Sequence, residues 1–181
     1  IPWANSLFED NAEFGFGMAL SDRIRKDKIR NIIEENIHTI PSPYQEICAS
    51  YYKRLSYESS CLLYEAIDSI KIKELEEMKQ FIKTKSFWII GGDGWAYDIG
   101  FNGLDHVLST KENINILVLD TEVYSNTGGQ SSKSSKTGSV AKFTSHGKEN
   151  AKKDLAKIAL TYPHVYVAAI SLGANMQQTI K

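Results

Sequence analysis

The stretch Phe87-Trp88-Ile89-Ile90-Gly91-Gly92-Asp93-Gly94 decides the fold. Four consecutive apolar residues that end in glycines are typical of a central parallel strand covered on both faces. Residues 94–108 have a helical pattern, and the apolar run 114–119 predicts a second strand. A helical pattern over 148–161 and a third apolar run at 165–170 continue the alternation. This order predicts an α/β fold, a parallel sheet with flanking helices and right-handed crossovers.

The residues that precede this stretch, 1–85, are predicted to be mainly helical. Their first part mixes aromatic side chains with glycines, which is typical of a short helix and a close-packed loop. Ser21 is a candidate N-cap of a helix that ends before Pro41. Apolar spacing between residues 44 and 84 predicts one or two amphipathic helices. We expect residues 1–85 and the α/β core, 86–181, to belong to one domain.

Composition sets limits on the function. The 181 residues are 42% hydrophobic and 24% charged, as in ordinary globular domains. The 21 basic and 22 acidic residues give a net charge of -1, so no large positive field favours nucleic acid or acidic lipid. No apolar run approaches the roughly 18 residues that span a bilayer, and no signal peptide is recognisable. We expect a soluble protein of the cytoplasm or an organelle matrix, without nucleic-acid or membrane partners.

Polar residues follow both predicted strands, where open α/β sheets bind their ligands. Asp93 follows the first strand, and Thr121 and Val123 follow the second. A carboxylate, a hydroxyl and the Val123 carbonyl are oxygen ligands that suit Mg²⁺ beside phosphate oxygens. Gly92 and Gly94 let the backbone approach a diphosphate, with thiamine diphosphate as the best candidate. For Gly92-Asp93-Gly94 alone, a turn with a capping aspartate is the alternative.

The loop at residues 121–138 is long and polar, and such loops in compact domains are more often functional than filler. Asn126 is a candidate donor to a diphosphate or to a reacting intermediate, with a simple turn as the alternative. Tyr124 and Ser125 complete the candidate cofactor-binding set. Trp95, directly after the glycine turn, either packs in the core or walls off a dry reaction pocket.

The sequence does not match the motifs of several other kinds of functional site. A dinucleotide fingerprint that starts at Gly92 requires Gly or Ala where the chain has Tyr97. The chain contains no G-x-x-x-x-G-K-[ST] run and no G-x-S-x-G motif, which disfavours P-loop enzymes and hydrolases. The four histidines lack metal-type spacing, and Cys48 and Cys61 match neither a zinc nor an iron–sulfur pattern.

Three segments resemble a known family. Residues 2–18, 92–100 and 120–132 closely resemble the C-terminal thiamine diphosphate domain of pyruvate:ferredoxin (flavodoxin) oxidoreductases. The same domain of pyruvate:NADP oxidoreductases is similar. The resemblance covers most of the chain and is weakest across residues 25–85.

This resemblance implies oxidative decarboxylation of pyruvate with coenzyme A, giving acetyl-CoA and carbon dioxide. Electrons would pass through iron–sulfur clusters to ferredoxin, flavodoxin or NADP. By the same resemblance, Asp93, Thr121 and the Val123 carbonyl bind Mg²⁺. Asn126 contacts the cofactor and the intermediate, and Trp95 forms part of the pocket wall. The glutamate that promotes ionisation of the aminopyrimidine lies near the N-terminus in this family, so no residue here takes that role.

The resemblance also implies a longer protein that forms a homodimer. The chain starts at Ile1 without Met and stops abruptly, so we expect a fragment cut at both ends. The family's cluster nearest thiamine uses cysteines outside this segment, and Cys48 and Cys61 match neither position. We therefore expect the isolated fragment to hold no cluster and to be inactive.

Two alternatives stay open. One is another thiamine diphosphate-dependent 2-oxoacid oxidoreductase or decarboxylase. The other is a noncatalytic nucleotide-binding or docking module, for which binding would not depend on Mg²⁺.

Overall fold

A computed structural model describes residues 9–180, so the first part of the resembling segment 2–18, residues 2–8, lies outside the described residues. The described chain forms two compact units. One contains residues 17–87, and the other combines residues 9–16 with residues 88–180. The predicted grouping of 1–85 and 86–181 into one domain stays a prediction.

The first helix is longer than the sequence pattern suggested. Helix α1 runs without interruption over Asn11–Asn36, so the prediction that a helix starts at Ser21 is wrong. Gly15 does not break the helix, because its missing side chain makes room for a packing partner. A Cβ atom on Gly15 would lie 2.5 Å from Cγ1 of Ile89. Close packing therefore offsets the roughly 1 kcal/mol that a glycine costs inside a helix.

Three further helices belong to the unit of residues 17–87. They are α2 (Ser42–Lys53), α3 (Tyr57–Ile70) and α4 (Lys73–Glu77), followed by a 3₁₀ turn at Lys79–Phe81. The Ser56 hydroxyl accepts a hydrogen bond from the amide of Ser59 at 3.1 Å, and the Ser59 hydroxyl accepts one from the amide of Ser56 at 2.9 Å. This reciprocal capping box satisfies amides that have no partner within the helix, and it defines where α3 begins.

The apolar stripes of these helices face one another and form the core of this unit. Its buried residues are Ile29, Ile32, Ile33, Ile40, Cys48, Tyr51, Leu63, Ala66, Ile67, Ile70, Leu75 and Ile82. Burial raises the pKa of the Cys48 thiol to about 11, so this cysteine stays protonated and packs as an apolar group.

The same unit contains a buried ion pair. The Lys26 ammonium lies 2.6 Å from Oδ2 of Asp22, and both residues are less than a tenth exposed. The same nitrogen donates to the carbonyls of Phe81 at 3.3 Å and Lys83 at 3.2 Å. Phe81 ends the 3₁₀ turn and Lys83 lies two residues beyond it, so one ammonium group binds both a carboxylate and carbonyl oxygens at the end of this turn.

The second unit carries the sheet. Strand β1 (Phe87–Gly92) leads through a π-helical turn (Gly94–Ile99) into helix α5 (Phe101–Ser109), and the chain returns as strand β2 (Ile114–Leu119). The two strands are hydrogen-bonded neighbours in a parallel sheet, which confirms the predicted α/β class with flanking helices. The core of this unit consists of Ala12, Ile89, Trp95, Ala96, Tyr97, Leu104, Val107 and Leu155.

Two predicted elements differ in the structure. The apolar run 165–170 is not a strand, and Tyr166 is 90% exposed. A strand needs a neighbour for its backbone groups as well as an apolar pattern. The helix predicted over 148–161 is confined to α6 (Leu155–Ala159). Residues before it bond elsewhere, since the amides of Lys148 and Lys153 donate to distant carbonyls of the polar loop.

Helix α6 begins where Asp154 accepts a hydrogen bond from the amide of Lys157 at 3.0 Å. A last short helix, α7, spans Met176–Ile180. Between residues 9 and 180, no helix combines the length and apolarity needed to cross a membrane.

The buried ion pair gives a test of the helical unit. Replacing Lys26→Met removes the nearest cation of the buried Asp22 carboxylate and leaves the half-exposed Lys85 ammonium 3.9 Å from its Oδ1, so the free energy of unfolding should fall by about 3 kcal/mol. Urea unfolding followed by circular dichroism measures this change. The exposed neighbour provides the control, because Lys28→Met should shift the free energy by less than about 0.5 kcal/mol. Equal effects of the two substitutions would contradict the role of the pair.

Candidate functional site

The polar residues that follow the two strands lie together. The Thr121 hydroxyl donates to Oδ1 of Asp93 over 2.9 Å, and its oxygen lies 3.0 Å from the Val123 carbonyl oxygen. Ser125 places a third oxygen 2.9 Å from the same hydroxyl. The three groups predicted as metal ligands therefore meet at one point, as expected from neighbouring parallel strands.

The Asp93 carboxylate is almost completely buried, with 1% of its surface exposed. Its second oxygen, Oδ2, accepts hydrogen bonds from the Ser132 hydroxyl at 2.6 Å and the Ser134 hydroxyl at 2.7 Å. These donors offset the cost of removing a carboxylate from water. Neither serine is among the candidate site residues that the sequence predicts. Their only signal was a serine-rich stretch inside the long loop.

Residues 132–135 form a turn, called the serine turn below, in which the amide of Ser135 donates to the Ser132 carbonyl. Its third serine, Ser135, connects this turn to the segment that contains Thr121. The Ser135 hydroxyl accepts from the amide of Ser132 at 2.9 Å and donates to the carbonyl of Glu122. Lys148 adds a hydrogen bond to the Ser135 carbonyl at 2.6 Å. The serine turn and the segment beside Thr121 are therefore tied by backbone contacts as well as through Asp93.

The glycines around Asp93 serve two different purposes. A Cβ atom on Gly94 would collide with the ring of Tyr124, and one on Gly91 would collide with the ring of Trp95. These two positions are small because aromatic rings pack against them. Gly92 is different, since a Cβ atom there would meet nothing within 4 Å. Of the three glycines, Gly92 leaves open space next to the backbone, as the approach of a diphosphate requires.

The aromatic residues of this region are firmly packed. Trp95 is 2% exposed, belongs to the core, and its buried indole nitrogen has no hydrogen-bond partner in the described chain. Its predicted place in a pocket wall stays a prediction. The Tyr97 hydroxyl donates to Oδ2 of Asp120 at 2.9 Å, and burial together with this carboxylate raises the pKa of Tyr97. Burial and the nearby Asp98 raise the pKa of Tyr124 to about 12.

Two acidic residues flank Thr121 and share one cation. The Lys152 ammonium lies 2.7 Å from Oδ2 of Asp120 and 3.2 Å from Oε1 of Glu122. Although burial opposes it, hydrogen bonds from Lys152 and Tyr97 hold the pKa of Asp120 below its usual value. Glu122 adopts a left-handed backbone with φ of 63°, which is uncommon for a residue other than glycine. The cation and the carbonyl contact from the serine turn hold this conformation.

The tip of the loop is a turn closed by backbone hydrogen bonds. The amide of Tyr124 donates to the carbonyl of Gln130 at 2.9 Å, and the amide of Gly129 donates back to the Tyr124 carbonyl at 2.8 Å. Asn126 lies exposed within this turn. Its side chain is therefore open to solvent, and its predicted contact with a cofactor stays a prediction.

A polar cavity of about 490 Å³ opens beside the serine turn. Its lining includes Asp98, Ser132, Lys133 and His146. Within residues 9–180, no cluster of three or more His, Cys, Asp or Glu side chains forms a metal site. A cation near Asp93 would therefore depend on one carboxylate together with hydroxyl, carbonyl and phosphate oxygens.

The oxygens around Thr121 fit such a cation. The oxygens of Asp93, Val123 and Ser125 all lie within 3.0 Å of the Thr121 oxygen. Thr121 and Ser125 each have one hydroxyl proton, and these two protons leave lone pairs of the four oxygens free. Oxygen-rich sites with a carboxylate suit Mg²⁺, which in turn binds phosphate oxygens. The open space at Gly92 lies next to the same aspartate in the chain.

A family model described as the C-terminal TPP binding domain of thiamine pyrophosphate enzymes matches residues 75–181, more than half of the chain. The chain belongs to this family. Membership of this thiamine pyrophosphate-binding family confirms the resemblance that the glycine and threonine motifs predicted, and the matched range includes every candidate site residue named above.

Curated relatives cover 99% of this chain. Pyruvate:ferredoxin oxidoreductase of Moorella thermoacetica is 44% identical, and a probable pyruvate-flavodoxin oxidoreductase of Escherichia coli is 48% identical. The mitochondrial pyruvate dehydrogenase (NADP+) of Euglena gracilis is 46% identical. The chain spans only 17%, 15% and 10% of the lengths of these three relatives.

The two kinds of glycine can be separated by substitution. Gly94→Ala should lower the melting temperature, because the new methyl group forces the Tyr124 ring out of its place. Gly92→Ala should leave the melting temperature nearly unchanged, since its methyl group meets open space. Thermal unfolding followed by circular dichroism compares the pair. A loss of stability in Gly92→Ala as large as that in Gly94→Ala would contradict this assignment.

Proposed function

We propose that this chain holds thiamine diphosphate through Mg²⁺ in an enzyme that oxidatively decarboxylates pyruvate with coenzyme A. The observation that carries the proposal is the convergence of the Asp93 carboxylate, the Thr121 hydroxyl and the Val123 carbonyl at one point. The family match supports the cofactor, and the names of the relatives support the substrate.

Each ligand group has its own task in this proposal. Asp93 supplies the negative charge that a divalent cation needs, and its buried surroundings strengthen the attraction. Thr121 and the Val123 carbonyl supply neutral oxygens, which leave the remaining positions for phosphate oxygens and water. Gly92 gives the diphosphate room beside the backbone. Asn126, exposed on the turn, is the proposed donor toward the cofactor and the reacting substrate.

When bound, thiamine diphosphate supplies the electron sink that decarboxylation of a 2-oxoacid requires. The residues of this chain bind and orient it. Lys152 and Lys136 together offset the charge of the two carboxylates that flank Thr121, since Lys136 lies 3.3 Å from Oε1 of Glu122. The complete reaction converts pyruvate and coenzyme A to acetyl-CoA and carbon dioxide, and releases two electrons and one proton.

The electron route and the setting are also proposals. Iron–sulfur clusters outside this chain would receive the electrons and pass them to ferredoxin, flavodoxin or NADP, the acceptors in the names of the relatives. The proposed compartment is the cytoplasm or an organelle matrix, and the mitochondrial label of the Euglena gracilis relative supports the second.

Substitution of the ligands tests the cofactor site. In the full-length protein, Asp93→Asn and Thr121→Val should each weaken Mg²⁺-dependent retention of thiamine diphosphate at least about tenfold, because each removes a ligand oxygen or its charge. Retained cofactor is measured as thiochrome fluorescence after dialysis at graded Mg²⁺ concentrations. Ser139→Ala is the control, since its hydroxyl donates to the Lys136 carbonyl of its own turn at 2.6 Å.

Retention that does not depend on Mg²⁺, or that survives Asp93→Asn, would contradict the proposed site. Mg²⁺-independent binding of a nucleotide instead would favour a noncatalytic binding module.

An assay of electron-acceptor reduction tests whether pyruvate is the substrate. The full-length protein, assayed without oxygen, should reduce a low-potential dye with pyruvate only when coenzyme A is present, because the acetyl group must be transferred as the electrons leave. Pyruvate should give a higher kcat/KM than 2-oxobutyrate or 2-oxoglutarate. A preference for another 2-oxoacid would reject pyruvate as the substrate and would leave the cofactor site intact.

A further inference from the structure

The two oxygens of the Asp93 carboxylate have different surroundings. Oδ2 accepts hydrogen bonds from the hydroxyls of Ser132 and Ser134 at 2.6 Å and 2.7 Å. A carboxylate oxygen offers two lone-pair directions, so two donors occupy both. Oδ1 instead faces Thr121, whose oxygen also lies 3.0 Å from the Val123 carbonyl. A cation beside these groups can therefore use one carboxylate oxygen without displacing a serine.

The serine donors are held in place before any ligand binds. Ser132 and Ser134 are 4% and 0% exposed. The Ser132 hydroxyl accepts from the amide of Ser134 at 3.1 Å, which leaves its proton for the carboxylate. The amide of Ser132 is bound by the Ser135 hydroxyl at 2.9 Å. The two hydroxyl oxygens lie 2.8 Å from each other, and the turn places both within hydrogen-bond distance of Oδ2.

Divalent cations differ in how they use a carboxylate. Mg²⁺ requires near-ideal octahedral geometry at about 2.0 to 2.1 Å and takes carboxylates through single oxygens. Ca²⁺ accepts six to eight oxygens at about 2.3 to 2.6 Å and takes a carboxylate through one oxygen or through both. An aspartate that can offer only one free oxygen cannot bind a cation through both of its oxygens.

We propose that Ser132 and Ser134 are positioning residues that hold Asp93 as a one-oxygen ligand and thereby favour Mg²⁺ over Ca²⁺. This inference rests on the proposed cofactor function and adds a determinant of metal preference to it. In this proposal the serines are not ligands themselves. They act through the aspartate by occupying the oxygen that two-oxygen binding of the larger cation would use.

The test compares two metals rather than activity. Ser132→Ala and Ser134→Ala, combined in the full-length protein, free Oδ2 for a cation. Thiochrome fluorescence after dialysis gives the concentration of Mg²⁺ and of Ca²⁺ that retains half of the thiamine diphosphate. The ratio of these two concentrations should move toward Ca²⁺ by about tenfold, the size expected from lost hydrogen bonds to a charged group. Each single substitution should shift the ratio in the same direction by less.

Ser139→Ala, in the same loop and without contact to Asp93, should leave the ratio unchanged. A wild-type protein without preference for Mg²⁺ would overturn the inference. So would a double variant in which the half-saturating concentrations of both metals change by the same factor, because a merely structural role affects both metals alike. If circular dichroism shows that the double variant does not fold, the two single variants are compared instead. Equal changes in the half-saturating concentrations of Mg²⁺ and Ca²⁺ in these variants would overturn the inference. A wild-type protein that retains no thiamine diphosphate with either metal overturns the proposed function itself.

Discussion

A buried carboxylate needs hydrogen-bond partners, and this need organises the α/β unit around Asp93. The residue is 1% exposed and accepts hydrogen bonds from Thr121, Ser132 and Ser134. These donors come from the end of β2 and from the loop beyond it, whereas Asp93 follows β1. The contacts can form only when the two strands are parallel neighbours joined by the crossover through α5. The hydrogen bonds of one aspartate thus depend on the topology of the whole unit, and the order of the loop depends on those hydrogen bonds.

The polar loop has almost no regular secondary structure, yet its backbone is specified at many points. The Ser135 hydroxyl bonds the Glu122 carbonyl, and Lys152 bridges Asp120 and Glu122. The left-handed backbone conformation of Glu122 costs free energy, and it persists only where contacts with surrounding residues hold it. Next to a candidate metal ligand, such a fixed backbone keeps a carbonyl oxygen in position before the ligand arrives. This arrangement reduces the reorganisation that binding would otherwise require.

Local patterns predicted the elements that depend on local causes. The apolar run before Gly91 is strand β1, and residues 114–119 are strand β2. Predictions from local patterns were wrong where contacts between residues far apart in the sequence determine the secondary structure. Ser21 has the residue type of a helix N-cap, but α1 begins at Asn11 and passes through Ser21. Gly15 is accommodated inside this helix because it packs against Ile89. Residues 165–170 have the composition of a strand, but they do not form one. A β-strand needs a neighbouring strand for its backbone hydrogen bonds as well as an apolar sequence.

The sequence by itself determined the α/β class, the family, and the position of a carboxylate, a hydroxyl and a carbonyl at two strand ends. Those features are encoded within short segments, because side-chain periodicity and glycine turns act between close neighbours. Only the tertiary structure decided which groups surround Asp93. The Ser132 and Ser134 hydroxyls lie 39 and 41 residues from it along the chain. No local rule selects such partners, because hydrogen bonds of this kind depend on which segments the folded chain brings within 3 Å of each other.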